Sequence, residues 1–399
     1  MSSVTRETVL VRRPRLEVRL ESDGTVFVDA VSGKLRLDGV ALAVLDVFAT
    51  ARTLQEGLDA IAHRIIAPDR AAQALSALLS LVEAGVLRPE GGVAAEVVPG
   101  PGFDGAGLQS TMLADGARTS AWIEAVRRTV RPGDVVADLG TGTGILAVAA
   151  AQAGARRVFA IEATSMASVA RAVAERNGVA DRVEVVRGWS SEVDLPERVD
   201  VLVSELIGSD PLGERLLDVL ADSRLRLARP GFRSVPRRLK VVAVPVSVPA
   251  SRVARATCSP GMASGFRRRY GIDLSPLSDA AAGRPAVTYL RRAEALRARR
   301  LAEPRVVVDV DLEADVAPAV EATADFAAAR PGLWNGVLLW FETELAPGLA
   351  FDHSPDRCSP WTSWRFPLWV FPEGRALQTG EAARVVYSCR EGRSRLDPA

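Results

Sequence analysis

A chain of 399 residues, 48% of them apolar and with a formal net charge of +1, is too long for one compact core and too apolar to be disordered throughout. It has no run apolar enough to cross a bilayer, no apolar segment of signal-peptide type behind Met1-Ser-Ser-Val-Thr-Arg6, and no charge excess that would draw it to nucleic acid, so a cytoplasmic protein of two or three domains is expected. Three cysteines without a CxxC pair, and two distant histidines, His63 and His353, leave no pattern for a disulfide framework or a metal site; both histidines read as surface or packing residues.

The first segment, residues 1–95, opens with strand-like alternation at Leu16, Val18 and Leu20, a turn at Ser22-Asp-Gly24, renewed alternation at Val26 and Val28, and a short strand at Leu35 and Leu37. Helical spacing follows at Val40, Val44, Val47 and Phe48. Thr53 with Glu56 three residues on is a capping box for a second helix carrying Leu54, Leu58, Ile61 and Ile65, and a third helix shows Leu75, Leu78, Leu79 and Val82 before Gly85. Three strands followed by three helices predict a small α+β, winged-helix-like domain. Pro89-Glu-Gly-Gly92 and Pro99-Gly-Pro-Gly102 then read as a linker.

Residues 96–234 alternate strands (135–139, 158–162, 183–186, 201–204) with helical stretches, which predicts a parallel, doubly wound Rossmann-like sheet. Residues 235–399 are β-rich at 241–248, 305–310, 337–343 and 368–371 without that alternation, which predicts an antiparallel β-barrel.

Gly140, Gly142 and Gly144 fall where the first strand of the doubly wound segment ends and a helix begins, so the backbone can turn tightly and a ligand can approach the main chain. The spacing is GxGxG, Asp138 precedes it where a cationic ligand would be met, and Glu162 ends the next strand where an acid would grip ribose hydroxyls. These features favour S-adenosylmethionine (SAM) over a nicotinamide dinucleotide. Farther on, Glu205 and Glu214 follow another strand end. Two carboxylates facing one pocket suit a cationic nitrogen, because they can hold the fork of a guanidinium and bias its charge away from the attacking atom.

The stretch from Val136 to Glu162 resembles the core of protein arginine methyltransferases, and Met112-Leu-Ala-Asp115 with Arg118-Thr119 is similar to that family's SAM-covering helix. The resemblance implies that Gln109 and Arg118 contact the cofactor, Arg118 through its carboxylate. It implies too that Gly188-Trp-Ser190-Ser191 borders the adenine, with Ser191 standing where the family usually has an acid. Ser204-Glu-Leu-Ile-Gly-Ser-Asp-Pro-Leu-Gly-Glu214 resembles the double-glutamate loop, which makes Glu205 and Glu214 the catalytic acids. Its usual aromatics are replaced by Ser209-Asp-Pro-Leu-Gly213, and Asp210 is a candidate third acid. Ser359-Pro-Trp-Thr-Ser-Trp364 looks like the Thr-His-Trp loop with Ser363 in place of the histidine. In the family that histidine can pair with the aspartate matched by Asp115; Ser363 cannot be a comparable proton acceptor, which implies that the His–Asp dyad is missing, while Trp364 walls the acceptor pocket alongside Met112. The family's dimerising arm makes a homodimer an expectation, with residues 256–275 as its remnant.

The front segment, including Leu37-Asp-Gly-Val-Ala-Leu-Ala-Val-Leu-Asp-Val-Phe48, resembles the PqqD-like domains that hold the leader of a ribosomally made precursor peptide. Joined to the rear segments, it implies an N-methyltransferase that captures such a precursor on residues 1–95 and modifies a cationic nitrogen, either a daptide-type C-terminal amine or an arginine guanidine. General protein arginine methylation is the alternative, and a catalytically silent SAM- and peptide-binding scaffold is another.

Overall fold

The computed structural model describes residues 7–12, 16, 18–22, 24–30, 33–64, 68–83, 86–89 and 105–399. The expected linker beyond Pro89, and the expected helix ends at Ile65 and Gly85, lie outside them.

The front segment runs β1 (Val9–Arg12), β2 (Val18–Leu20), β3 (Val26–Ala30), β4 (Gly33–Leu37), α1 (Val40–Val47), β5 (Arg52–Thr53), α2 (Leu54–Arg64), α3 (Pro68–Glu83) and β6 (Leu87–Pro89). The expected strands pair as an antiparallel meander, β2-β3-β4. A second antiparallel sheet, β5-β1-β6, was not expected, because strands of four, two and three residues are too short to carry a period. The capping box forms as read: Thr53 N–H donates to Glu56 Oε2 at 2.8 Å and Glu56 N–H to Thr53 Oγ1 at 3.1 Å. The Thr53 backbone N–H, aided by the Thr53 hydroxyl, holds the Glu56 carboxyl below its usual range. Gly57 lets α2 lie directly on the Phe48 ring, since a Cβ there would stand 2.1 Å from its Cζ. Phe48, Leu10, Val28, Leu78 and Leu81 close one core.

The second segment runs α4 (Ala106–Leu113), α5 (Gly116–Thr129), β7 (Val135–Leu139), α6 (Ile145–Gln152), β8 (Arg157–Glu162), α7 (Met166–Arg176), β9 (Val183–Arg187), β10 (Val199–Val203), α8 (Leu216–Arg226) and β11 (Ala228–Val235). The five strands are parallel in the order β11-β10-β7-β8-β9. β7 is buried along its whole length, as a central strand covered on both faces must be. The chain winds from β7 to β8 and β9, then returns to lay β10 on the other side of β7. That reversal opens a crevice beyond the carboxyl ends of β7 and β10. β11 contains Pro230-Gly231, which reads as a break. The register against β10 jumps from Val199–Ala228 to Val201–Arg233, so the bulge absorbs both residues, with Gly231 at φ +75°.

The third segment runs β12 (Arg238–Ser247), α9 (Ala250–Ala256), α10 (Pro260–Tyr270), α11 (Ser275–Ala281), β13 (Ala286–Leu290), α12 (Arg292–Leu296), β14 (Arg299–Arg300), β15 (Arg305–Asp311), β16 (Ala319–Ala327), β17 (Gly332–Ala346), β18 (Leu349–Asp352), β19 (Phe366–Leu377), β20 (Ala382–Arg390) and β21 (Arg393–Pro398). The antiparallel character is as expected. The pairing divides into a sheet with the path β13-β19-β17-β12-β14, to which β15 and β18 attach, and a smaller sheet, β16-β20-β21. Three helices between β12 and β13 were not expected. Gly336 admits the β17–β19 crossing, because a Cβ there would lie 2.7 Å from both Trp369 O and Val248 Cγ2. Side chains from both rear segments, such as Trp122, Leu139, Leu202, Phe341, Trp364 and Tyr387, share one core. No helix among the described residues is long and apolar enough to cross a membrane.

Candidate active site

The glycine turn leaves β7 and climbs into α6. Gly140, Gly142 and Gly144 all take positive φ, at +73°, +55° and +81°, where a side chain would be strained. Gly142 also lies beneath α4: a Cβ would meet Gln109 Oε1 at 3.2 Å. The turn is fixed to the next strand through Gly140 N–H and Thr141 N–H, which both donate to Ile161 O at 2.9 and 3.0 Å.

Two acids stand under this turn. Glu162 accepts from Gly142 N–H and Thr164 N–H, each at 2.8 Å, so its carboxylate shapes the turn and keeps spare lone pairs toward the crevice. Asp138 is only 2% exposed and accepts from Thr141 Oγ1 at 2.5 Å. Burial pushes its carboxyl up to about 7; the Thr141 hydrogen bond opposes the rise and the neighbouring Glu162 charge adds to it. Ser190 and Ser191 follow β9, half-buried, where Arg226 clamps the Ser190 carbonyl. Met112 is half-buried on α4.

Of the two expected catalytic acids, one is paired with a buried cation and the other feels its charge. Glu205 lies two residues beyond β10, and its side chain forms an ion pair with Arg118; the two side chains are 16% and 11% exposed. The Arg118 guanidinium also donates to Ser363 Oγ at 3.2 Å and lies 4.5 Å above the Trp364 ring. Burial lowers Arg118 to about 10, against the opposing pull of Asp115 and Glu214. Glu214 is itself pushed upward by burial and held back by Arg118. It lies across the backbone of Gly208, where a Cβ would stand 3.0 Å from Glu214 Oε1. The other Glu205 oxygen, Oε1, is buried without a hydrogen-bond partner, an acceptor left for an incoming donor.

Asp115 caps α5 by accepting from Arg118 N–H at 3.3 Å and also takes Ser363 N–H at 2.9 Å and Ser363 Oγ at 3.4 Å. Trp364 is 5% exposed and donates from Nε1 to Ile207 O at 2.6 Å, while Arg365 N–H donates to Ser209 Oγ at 2.9 Å. The loop before β19 therefore hangs the double-acid loop from the barrel. Asp210 points elsewhere: it accepts from Ser394 Oγ at 3.0 Å on β21, and Ser394 in turn meets the Tyr387 hydroxyl at 2.9 Å. Burial raises the Asp210 carboxyl.

His353, expected at the surface or in the packing, is buried in the layer beneath the pocket. His353 is stacked between Phe341 and Phe366, with centroids 4.9 and 4.7 Å away, and its Nε2 lies 3.0 Å from Thr362 Oγ1. Burial and the Arg118 charge depress it to about 3, so it packs as a neutral ring. Trp122 and Phe351 support Trp364 from α5 and β18.

This arrangement can hold a nucleotide-like ligand over the glycine turn and a planar cation between two carboxylates and an indole. Because the Asp138 pKa is higher in the folded chain than the usual 3.8, its contribution to stability is complete at acid pH and is lost as pH rises through about 7. Without ligand, the Tm of the protein relative to Asp138→Asn should fall between pH 5 and 8 in calorimetry. Affinity for a cationic ligand, which favours the ionised acid, should rise over the same interval. A pH-independent Tm difference would remove this assignment.

A family model described as ribosomal protein L11 methyltransferase (PrmA) matches residues 115–221. The chain is 31% identical over 249 residues to "Probable protein arginine N-methyltransferase 6" of Arabidopsis thaliana, covering 60% of this chain and 54% of that protein. It is 44% identical over 140 residues to "Protein arginine N-methyltransferase PRMT10" of Oryza sativa subsp. japonica, covering 35% of this chain and 37% of that protein. The chain thus spans about half the length, or less, of these curated relatives. Among solved structures, the Trypanosoma brucei PRMT1 enzyme-prozyme heterotetrameric complex with AdoHcy matches with a TM-score of 0.61 at 24% identity, over 72% of this chain and 89% of that one. That likeness gives the fold: a Rossmann-like domain followed by a barrel domain.

Proposed function

We propose that this chain is a SAM-dependent N-methyltransferase whose acceptor is the guanidine of an arginine side chain. The observation that carries this reading is the guanidinium of Arg118 seated on Trp364 and ion-paired with Glu205, an intramolecular example of the cation the pocket suits. The names of the relatives support arginine over the peptide amine.

The residues present fit SAM. Gly140 and Gly142 turn the backbone at positive φ without side chains of their own, Asp138 is a buried acid awaiting positive charge, and Glu162 retains lone pairs for hydroxyls. Gln109 and Arg118 from the covering helices, with Ser190 and Ser191 beyond β9, complete the set of contacts. Bound SAM supplies an electrophilic methyl group on sulfonium. Arg118 would hold the SAM carboxylate, and Glu205, through its unpartnered Oε1, would take the acceptor guanidinium. Glu205 and Glu214 would fix the plane of the acceptor and the direction of its reacting nitrogen, and positioning of that kind accounts for much of the rate. Glu214, raised by burial, receives the proton from the methylated nitrogen. Asp115 does not serve there, because its oxygens already accept from Arg118 and Ser363.

Glu205→Gln and Glu214→Gln should each reduce transfer of radiolabelled methyl from SAM to an arginine peptide by about 100-fold or more. SAM affinity by calorimetry should change less than about tenfold. Wild-type turnover by both variants would sink the roles given to these acids.

A second reading keeps the front segment's peptide role. β4 is an edge of the β2-β3-β4 sheet, and a cleft of about 520 Å³ lined by Thr25, Arg36, Leu37, Gln73 and Ser76 runs between that edge and α3. Such an edge suits an added peptide strand, consistent with a PqqD-like leader site. Filling the cleft with Ser76→Trp should weaken binding of a precursor peptide encoded beside this gene by more than about tenfold in fluorescence anisotropy, with SAM binding intact. Unchanged affinity would remove the leader site.

We infer a homodimer from the arm formed by α10 and α11, which exposes Tyr270, Ile272 and Leu277. Sedimentation equilibrium should give twice the chain mass, falling to the monomer mass in Ile272→Asp; a monomeric wild type overturns it.

A further inference from the structure

We propose that Trp361 is a specificity-determining residue of the acceptor site, whose indole face binds a second guanidinium one to three positions from the methylated arginine. The inference rests on the arginine reading above and names a class within it: peptides in which arginines cluster.

Trp361 is 84% exposed, more than any other large apolar side chain among the described residues. Its ring meets no other aromatic ring and no guanidinium there. The backbone on both sides of this exposed indole is pinned. Trp361 N–H donates to Ser359 Oγ at 3.1 Å and Thr362 N–H to Ser359 O at 3.1 Å. Thr362 Oγ1 is held against His353, Ser363 N–H against Asp115, and Trp364 against the Ile207 carbonyl. The outward pose belongs to a braced loop.

The same brace sets its distance from the chemistry. Trp364 lies under the cation beside Glu205, and three residues separate at most about 10 Å of chain from Trp361. An extended peptide advances about 3.3 Å per residue, so a peptide with one arginine in the acid pocket presents a neighbour one to three positions away to Trp361. Indole is the strongest of the aromatic faces for a guanidinium, and Arg118 over Trp364 shows this loop holding such a pair already. Arg357, on the same stretch, is turned to Asp352 at 3.6 Å and leaves the indole face to an incoming group.

The test compares two peptides with one acceptor arginine, differing by arginine or alanine two positions away, in steady-state methylation. The full chain should prefer the paired-arginine peptide by about fivefold in kcat/KM, chiefly through KM. Trp361→Ala should bring that ratio to within about twofold of one, and Trp361→Phe should retain most of it. An unchanged ratio in Trp361→Ala, an equal loss on both peptides, or no preference in the wild type overturns the assignment while leaving arginine methylation standing. Failure of the wild type to methylate either peptide overturns the arginine reading itself, and the role of Trp361 with it.

Discussion

The guanidinium of Arg118 is a charge taken almost wholly out of water, and such a charge is tolerated only where a partner of opposite sign and enough acceptors surround it. Its compensation comes from separate parts of the chain: Glu205 beyond β10, Ser363 and Trp364 ahead of β19, and Asp115 at the start of its own helix. A positive side chain in the first turn of a helix is ordinarily disfavoured by the helix dipole, so the carboxylates also offset a local cost. The Rossmann-like crevice and the barrel are joined at this point by one ion and its neighbours.

The double-acid loop depends on that junction for its shape. Between Glu205 and Glu214 it has no regular secondary structure, and its anchors are a Trp364 side-chain bond to Ile207, a Ser209 hydroxyl on the Arg365 backbone, and Asp210 on Ser394. Small polar residues in this loop, Ser209 and Asp210, serve as staples to the barrel. The acids at the two ends of this loop are thereby held out of water, and burial raises the basicity of Glu214.

Much of this was legible along the chain. The strands β7, β8, β9 and β10 left runs of apolar residues, the glycine turn left its spacing, and Thr53 with Glu56 left a capping box that closes as read. The helices α9 to α11 and the short strands β1, β5 and β6 were not legible, since short elements stabilised by their neighbours need no strong period of their own. β11 was hidden by Pro230-Gly231, which ends a strand in most contexts and here sits in a bulge.

The chemical inventory was therefore determined by the sequence alone: glycines where the backbone must turn with positive φ, acids at three strand ends, and serine in place of a histidine. Those properties are local, carried by residue type and spacing. Only the tertiary structure decided which groups share a charge. It directed Asp210 to Ser394, turned Arg118 toward Glu205 and Trp364, buried His353 as a neutral spacer and left Trp361 in water. Residues more than two hundred positions apart, such as Asp115 and Ser363, meet through the packing of the barrel on the sheet, and no period in the chain records that distance.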